Sequence, residues 1–378
     1  MGGLDTGMTE HVPASRAGEY LATAFATRRE KRLALAIAAI CFAAFVATAP
    51  FVRVPQAPMP AFIPSYEAAL FFIDLTTSVL LFDQFARLRS AGILVLASGY
   101  LFDALIIVAH ALSFPGAFAT TGLLGAKEQT TAWLYVFWHG GFPLFVIGYA
   151  VMRRDDASEE SYRPTVPAGA TIMTAIAAVG LLTAALTLFA TWGHDWLPIV
   201  MRGSDYSLLV KKGVSPAVWG LTLIALVALW RRKQRVVDLW LMLVMWIWLF
   251  DIALSAVVGS ARYDLGFYAG RIFGLIASSF LLITLVVRMA QMYAGALSAV
   301  ASAEHRFEEL SRLRGRSQTT QPESARNEPE GKFISRQNIA RYRSMLETMS
   351  IDDAQRGSIE RLLAEEEAKY RSSKTENQ

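Results

Sequence analysis

Apolar residues gather in eight long blocks, at about 32–49, 65–85, 92–111, 129–152, 168–192, 214–230, 237–258 and 267–288. At about 1.5 Å of rise per residue, helices of these lengths cross ~30 Å of hydrocarbon. The pattern predicts an all-α, polytopic membrane bundle of about eight transmembrane helices with a short cytoplasmic helical tail. Past Arg288 the blocks give way to a loose stripe of Met292, Leu297, Val300, Phe307, Leu310 and Leu313, enough for a dimerising stalk. A stretch rich in Ser, Thr, Gln, Glu and Pro follows. Then come two short amphipathic helices, one striped by Ile339, Tyr342 and Leu346, the next opening at Ile351-Asp352-Asp353 and striped by Ile359, Leu362 and Leu363. The expected organisation is a disordered N-terminal segment (1–27), a membrane domain (28–290), a helical stalk (291–313), a flexible linker (314–331) and a helical hairpin (332–378).

Composition agrees with a bilayer setting. Of 378 residues, 54% are hydrophobic and only 18% charged, more apolar than a soluble core requires. The mean hydropathy is +0.35. The lone Cys41 excludes an internal disulfide and CxxC chemistry. A net charge of +4 gives no footprint for nucleic acid. Lysine and arginine divide unevenly between the two sets of loops. Arg28, Arg29, Lys31, Arg32, Arg87, Arg89, Arg153, Arg154, Arg163, Arg231, Arg232, Lys233 and Arg235 fall on one side, against Arg53, Lys127, Arg202, Lys211, Lys212 and Arg262 on the other. The positive-inside rule then places both termini in the cytoplasm. Ala47-Thr48-Ala49 imitates a signal-peptidase site, but Pro50 follows it and a polar segment precedes the first block, so an uncleaved anchor is expected.

Several ordered stretches carry a family likeness: "DLTTSVLLFDQFARLRS" (74–90), "GYLFDALIIVAHALSFPGAF" (99–118), "TGLLGAKEQTTAWLYVFWHGGFPL" (121–144) and "YAVMRR" (149–154). Together they resemble the fourth class of bacterial membrane-associated sensor domains. That resemblance implies an integral-membrane input module, usually placed ahead of a diguanylate cyclase or histidine kinase. Neither a GG[DE]EF signature nor a phosphoacceptor box with a nucleotide-binding domain follows here, and His305 in "AEHRFEEL" reads as a solvated helix residue. The expectation is a sensory input without catalytic residues or cofactor, whose partners are the bilayer, a cytoplasmic signalling protein at the tail and a second copy at the stalk.

Ionisable side chains inside a span cost at least about 2.5 kcal/mol on insertion scales, so each calls for a partner or a purpose. Asp74, Asp103, His110, Tyr135, Trp138 and His139 are the expected ligand-binding set, mostly in the outer half of the membrane. Asp103 and His110 are seven apart and Tyr135 and His139 four apart, so each pair shares a helix face. Asp251 and Arg271, on consecutive spans at similar depth, are expected to form a structural ion pair. No metal set is expected, since two histidines at different depths lack a third ligand at a defined spacing. Two other readings remain: a transporter using Asp74, Asp103 and Asp251, and a haem- or metal-binding redox protein. Phe114-Pro115-Gly116, with Gly122 and Gly125 after it, predicts a folded lid over a pocket among the second, third and fourth spans, with the seventh and eighth as further candidates.

Overall fold

The computed structural model describes residues 24–153, 166–232, 234–259, 261–319, 330–348 and 353–375. The expected disordered segment up to 23, Arg154, Arg163, Lys233, the linker centre at 320–329 and the Ile351-Asp352 opening therefore lie outside the described residues. The chain divides into two compact units, Met1–Ala296 and Leu297–Gln378.

Among its described residues the first unit is mainly helical. Its helices are α1 (Arg28–Thr48), α2 (Phe62–Leu88), α3 (Ala91–Ser113), α4 (Thr130–Met152), α5 (Ala168–Thr191), the one-turn α6 (Ser207–Lys211), α7 (Val214–Trp230) and α8 (Val236–Ile252). A π-helical segment, Ala253–Val258, continues α8, and α9 (Leu265–Thr319) begins in this unit. Among the described residues, extended pairing is confined to isolated bridges such as Pro55 with Asp264.

Among the described residues seven of these helices, α8 counted with its π segment, are long and apolar enough to cross a membrane. With the shorter apolar helix at 214–230, the described helices agree with the expected bundle of about eight. The apolar block at 214–230 forms a helix of only 17 residues, about 25 Å long and at the lower limit for a span. It still joins the two ends of the bundle. Before α7, Val200 and Met201 are tied to Gln129 at the start of α4, and beyond it Val236 bonds to Ala24 ahead of α1.

Two loops fix the termini of neighbouring helices. Gln129 accepts from the Val200 and Met201 amides at 2.8 and 2.9 Å and donates to the Met201 carbonyl at 2.7 Å. This holds the 192–213 loop down on α4. At the other end, Thr27 and Glu30 cap α1 reciprocally, satisfying donors that a helix start leaves free.

Most residues of α3 and α8 are buried, whereas few in α1 and α5 are. The pair α3 and α8 thus forms the centre, with α4 and α7 between them. Helix α9 meets α8 through a glycine face. A Cβ on Gly274 would lie 2.9 Å from Asp251 Oδ2 and 3.0 Å from the Tyr66 hydroxyl, and one on Gly270 2.8 Å from the Asp251 carbonyl. Only a residue without a side chain admits that approach.

In the second unit, α10 (Glu330–Thr348) and α11 (Asp353–Thr375) pack as a hairpin. Arg343 donates to Glu367 across it at 2.6 Å. Ile339, Tyr342 and Leu346 are half-buried there, as are Ile359 and Leu363, while Leu362 remains exposed.

Candidate functional site

The long loops 49–61, 114–129, 192–213 and 259–264 meet at one end of the membrane unit. A cavity of about 40 Å³, room for a few waters, opens beneath them. His110, Phe114, Thr131, Tyr135, Tyr206, Ser255, Arg262, Phe267 and Arg271 line it, joined by the apolar side chains of Ala132, Met201, Leu209 and Ala256. Thus α3, α4, the 192–213 loop, the π segment and α9 all contribute.

Each polar side chain is set by its local backbone. The Tyr135 hydroxyl lies 2.8 Å from Ser255 Oγ, which the π segment carries. Ser255 in turn donates to the Asp251 carbonyl at 2.7 Å. A π segment adds a residue to the turn and re-aims the side chains beyond it, which is why such segments recur at functional sites. His139 sits one turn behind Tyr135, its ring stacked on the tyrosine with centroids 3.8 Å apart. Its Nδ1 faces the Tyr135 carbonyl at 3.0 Å and its Nε2 faces Asp251 Oδ2 at 3.2 Å. His110 Nδ1 meets Glu67 Oε1 at 2.7 Å, with both residues buried.

The expected Asp251–Arg271 ion pair is replaced by other partners. Asp251 belongs to His139 and Ser255, pressed against the Gly270/Gly274 face of α9. Arg271 folds back over the preceding turn, donating to the Phe267 carbonyl at 2.8 Å with its guanidinium 3.6 Å from the Phe267 ring centroid. Helical side chains lean toward the N-terminus, so Arg271 follows its own helix down to the cavity rather than crossing to α8.

The second arginine, Arg262, comes from the 259–264 loop. It lies 4.8 Å from the Phe114 ring centroid and donates to Thr131 Oγ1 at 2.5 Å. Burial, together with the Arg271 charge, pushes its guanidinium down to about 10, so near neutral pH it keeps its charge. Burial pushes the Tyr206 phenol well up, leaving it a neutral donor, and its buried hydroxyl has no hydrogen-bond partner.

Of the expected ligand-binding set, His110 and Tyr135 line the cavity, and His139 lies one contact behind it. Trp138 packs on both histidines, with centroids 6.0 Å from His110 and 4.5 Å from His139. Asp74 and Asp103 occupy a separate nest among α2, α3, α4 and α9. Asp74 lies beside Ser278 and Asp103 beside Trp138, within reach of each other's charge and of Tyr100. Both are fully buried, and none of their four carboxylate oxygens has a hydrogen-bond partner. The described residues contain no cluster of three or more metal-ligating side chains.

The expected lid contributes less than its sequence implied. Gly122, at φ 84°, makes the turn that returns the chain to Ser113, where a Cβ would meet the Ser113 carbonyl at 2.2 Å. Of this loop only Phe114 faces the cavity, while Phe118, Leu123 and Leu124 are exposed. The cover comes instead from Met201, Tyr206, Leu209 and Arg262.

Sequence reading missed Glu67, Tyr206 and the role of Arg262. Glu67 had a signal, because it precedes Asp74 by seven residues and shares its stripe. A second missed cluster lies at the opposite end. Asp238, in the first turn of α8, accepts from the Tyr149 hydroxyl and the Arg235 amide, each at 2.7 Å, and from the buried Arg153 guanidinium.

With this geometry in view, comparison with known families gives a match. Residues 57–293, well over half the chain, fit the family of the membrane-associated sensor, integral membrane domain, fourth class. The chain belongs to that family: a multi-pass membrane sensor domain, which is an input domain rather than a catalytic one. No curated protein and no solved structure matches it.

Proposed function

We propose that this sensor domain detects a ligand in the cavity at its long-loop end and converts binding into a shift of α9. The carrying observation is the unbroken run of contacts from the cavity to α9. Tyr135 and Ser255 line the cavity, both reach Asp251 or its partner His139, and Asp251 sits against Gly270 and Gly274. Such closely fitted contacts respond to a change at one side by repacking. The ligand acts as a switch by binding one arrangement of these helices more tightly than the other. In this reading the basic end faces the cytoplasm, the long-loop end faces outward, and the C-terminal helices hand the change to a signalling protein or to a second copy.

A direct test needs no ligand. A diguanylate cyclase reporter fused after Arg312 is assayed in cells, with Ser255→Phe filling the cavity. Output that shifts severalfold at equal membrane abundance supports the reading. Output indifferent to cavity filling contradicts it. The unpartnered Asp74 and Asp103 favour a second reading, a carrier with an intramembrane carboxylate path. Substrate accumulation in vesicles, lost in Asp74→Asn, would mark a carrier instead.

A further inference from the structure

We infer that the cavity is a receptor site for a small organic carboxylate, its anionic group held between Arg262 and Arg271. This rests on the sensor reading for its purpose, but its chemistry stands on the residues themselves. Two guanidinium groups point at one small space, and Arg271 is close enough for its charge to disfavour that of Arg262. No carboxylate lines the cavity. Among the described residues the nearby acids are engaged elsewhere, Glu67 with His110, Asp251 with His139 and the buried Asp264 with the Ala261 and Phe267 amides, and neither arginine has an ion-pair partner.

A bound anion would relieve that repulsion and meet donors already in place. Each guanidinium has planar N–H groups suited to two-point recognition of a carboxylate. Tyr206 adds a buried hydroxyl without a partner, a cost that an acceptor in the cavity would remove. The remaining wall decides between an organic and an inorganic anion. Phe114, Met201, Leu209 and Phe267 present apolar surface beside the arginines. That surface would face a hydrated phosphate unfavourably, whereas it suits the hydrocarbon body of a short organic acid.

The full chain in nanodiscs is titrated calorimetrically with acetate, benzoate, benzamide and inorganic phosphate. The expected result is saturable binding of acetate, which the space of a few waters admits, weaker binding of benzoate, whose ring exceeds that space, and none of benzamide, which keeps the ring but lacks the charge. Arg262→Gln should weaken acetate about tenfold or more, the loss expected for a hydrogen bond to a charged group. Tyr206→Phe, which keeps the packing, should weaken it by a smaller factor, and Arg271→Lys should retain part of the affinity if Arg271→Gln fails to fold. Equal binding of benzoate and benzamide overturns the inference, as does phosphate binding without any carboxylate binding, or Arg262→Gln at wild-type affinity. Carboxylate binding that leaves the cyclase reporter unchanged supports the site while defeating the sensor reading. Failure of both carboxylates to bind, with cavity variants still moving the reporter, defeats this inference alone.

Discussion

Both ends of the membrane unit bury arginine and tyrosine among helices, yet the two arrangements differ in what they leave over. At the basic end Asp238 gathers the Tyr149 hydroxyl, the Arg235 amide and the Arg153 guanidinium onto its two oxygens. Charge and hydrogen bonds close on one another, tying α4 to the start of α8. At the long-loop end Arg262 and Arg271 reach a cavity that no carboxylate lines, the neighbouring Asp264 being held by the Ala261 and Phe267 amides, and the Tyr206 hydroxyl is unpartnered. The same residue types therefore make a clamp at one end and an open donor set at the other. The difference is the placement of one carboxylate: Asp238 stands inside its cluster, whereas Asp251 stands behind Tyr135, held by His139.

The largest effect should come from opening the clamp. Asp238→Asn strands the buried Arg153 charge, and breaking a buried pair costs about 3–5 kcal/mol. Thermal unfolding in detergent should show the loss, with partial recovery when Arg153→Met is added. Next comes the seam between α8 and α9. Gly274→Ala forces a methyl into Asp251 and Tyr66, and overpacking of this kind costs about 1–3 kcal/mol. A glycine face that tolerated alanine without loss would show that the helices are not in contact there.

A double-mutant cycle separates the two candidate partners of Asp251. His139→Gln and Asp251→Asn should show a coupling of about 0.5–3 kcal/mol, the range for residues in contact. Coupling of Asp251 to Arg271 should be weaker, since each has its own partner. The smallest effect concerns the loop end outside the spans. The Ser207 amide and hydroxyl hold the exposed Asp205 carboxyl below the usual aspartate range. A depressed folded value adds stability above the unfolded aspartate value, and that contribution is lost as pH falls through the folded value. Asp205→Asn should flatten this shallow acid-side slope in melting temperature and leave the neutral and alkaline sides unchanged.

The helices themselves were legible because hydropathy repeats over block lengths that only a spanning helix explains. The exception is α7, whose 17 residues sit at the limit where block length stops discriminating. Faces within one helix were legible as well: spacing alone put Tyr135 with His139. Pairing between helices was not. Nothing in the spacing shows that Glu67 meets His110, or that Asp251 chooses His139 over Arg271, because helix rotation and the Gly270/Gly274 approach decide both. Arg262 was read as one more loop charge, since a loop's return over Phe114 leaves no periodic trace. The π segment was hidden for a related reason, as one added backbone residue leaves the apolar pattern of α8 intact.

The contrast between a closed clamp and an open donor set is tested most directly by one set of melting curves. Wild type, Asp238→Asn and Arg262→Gln are unfolded thermally in nanodiscs, with and without saturating acetate. Ligand that binds only the folded state raises the melting temperature. Asp238→Asn should melt well below wild type yet keep the acetate-dependent rise. Arg262→Gln should melt near wild type without ligand and show no rise with it. An Arg262→Gln protein that is as unstable as Asp238→Asn, or that keeps the full rise, would contradict the account.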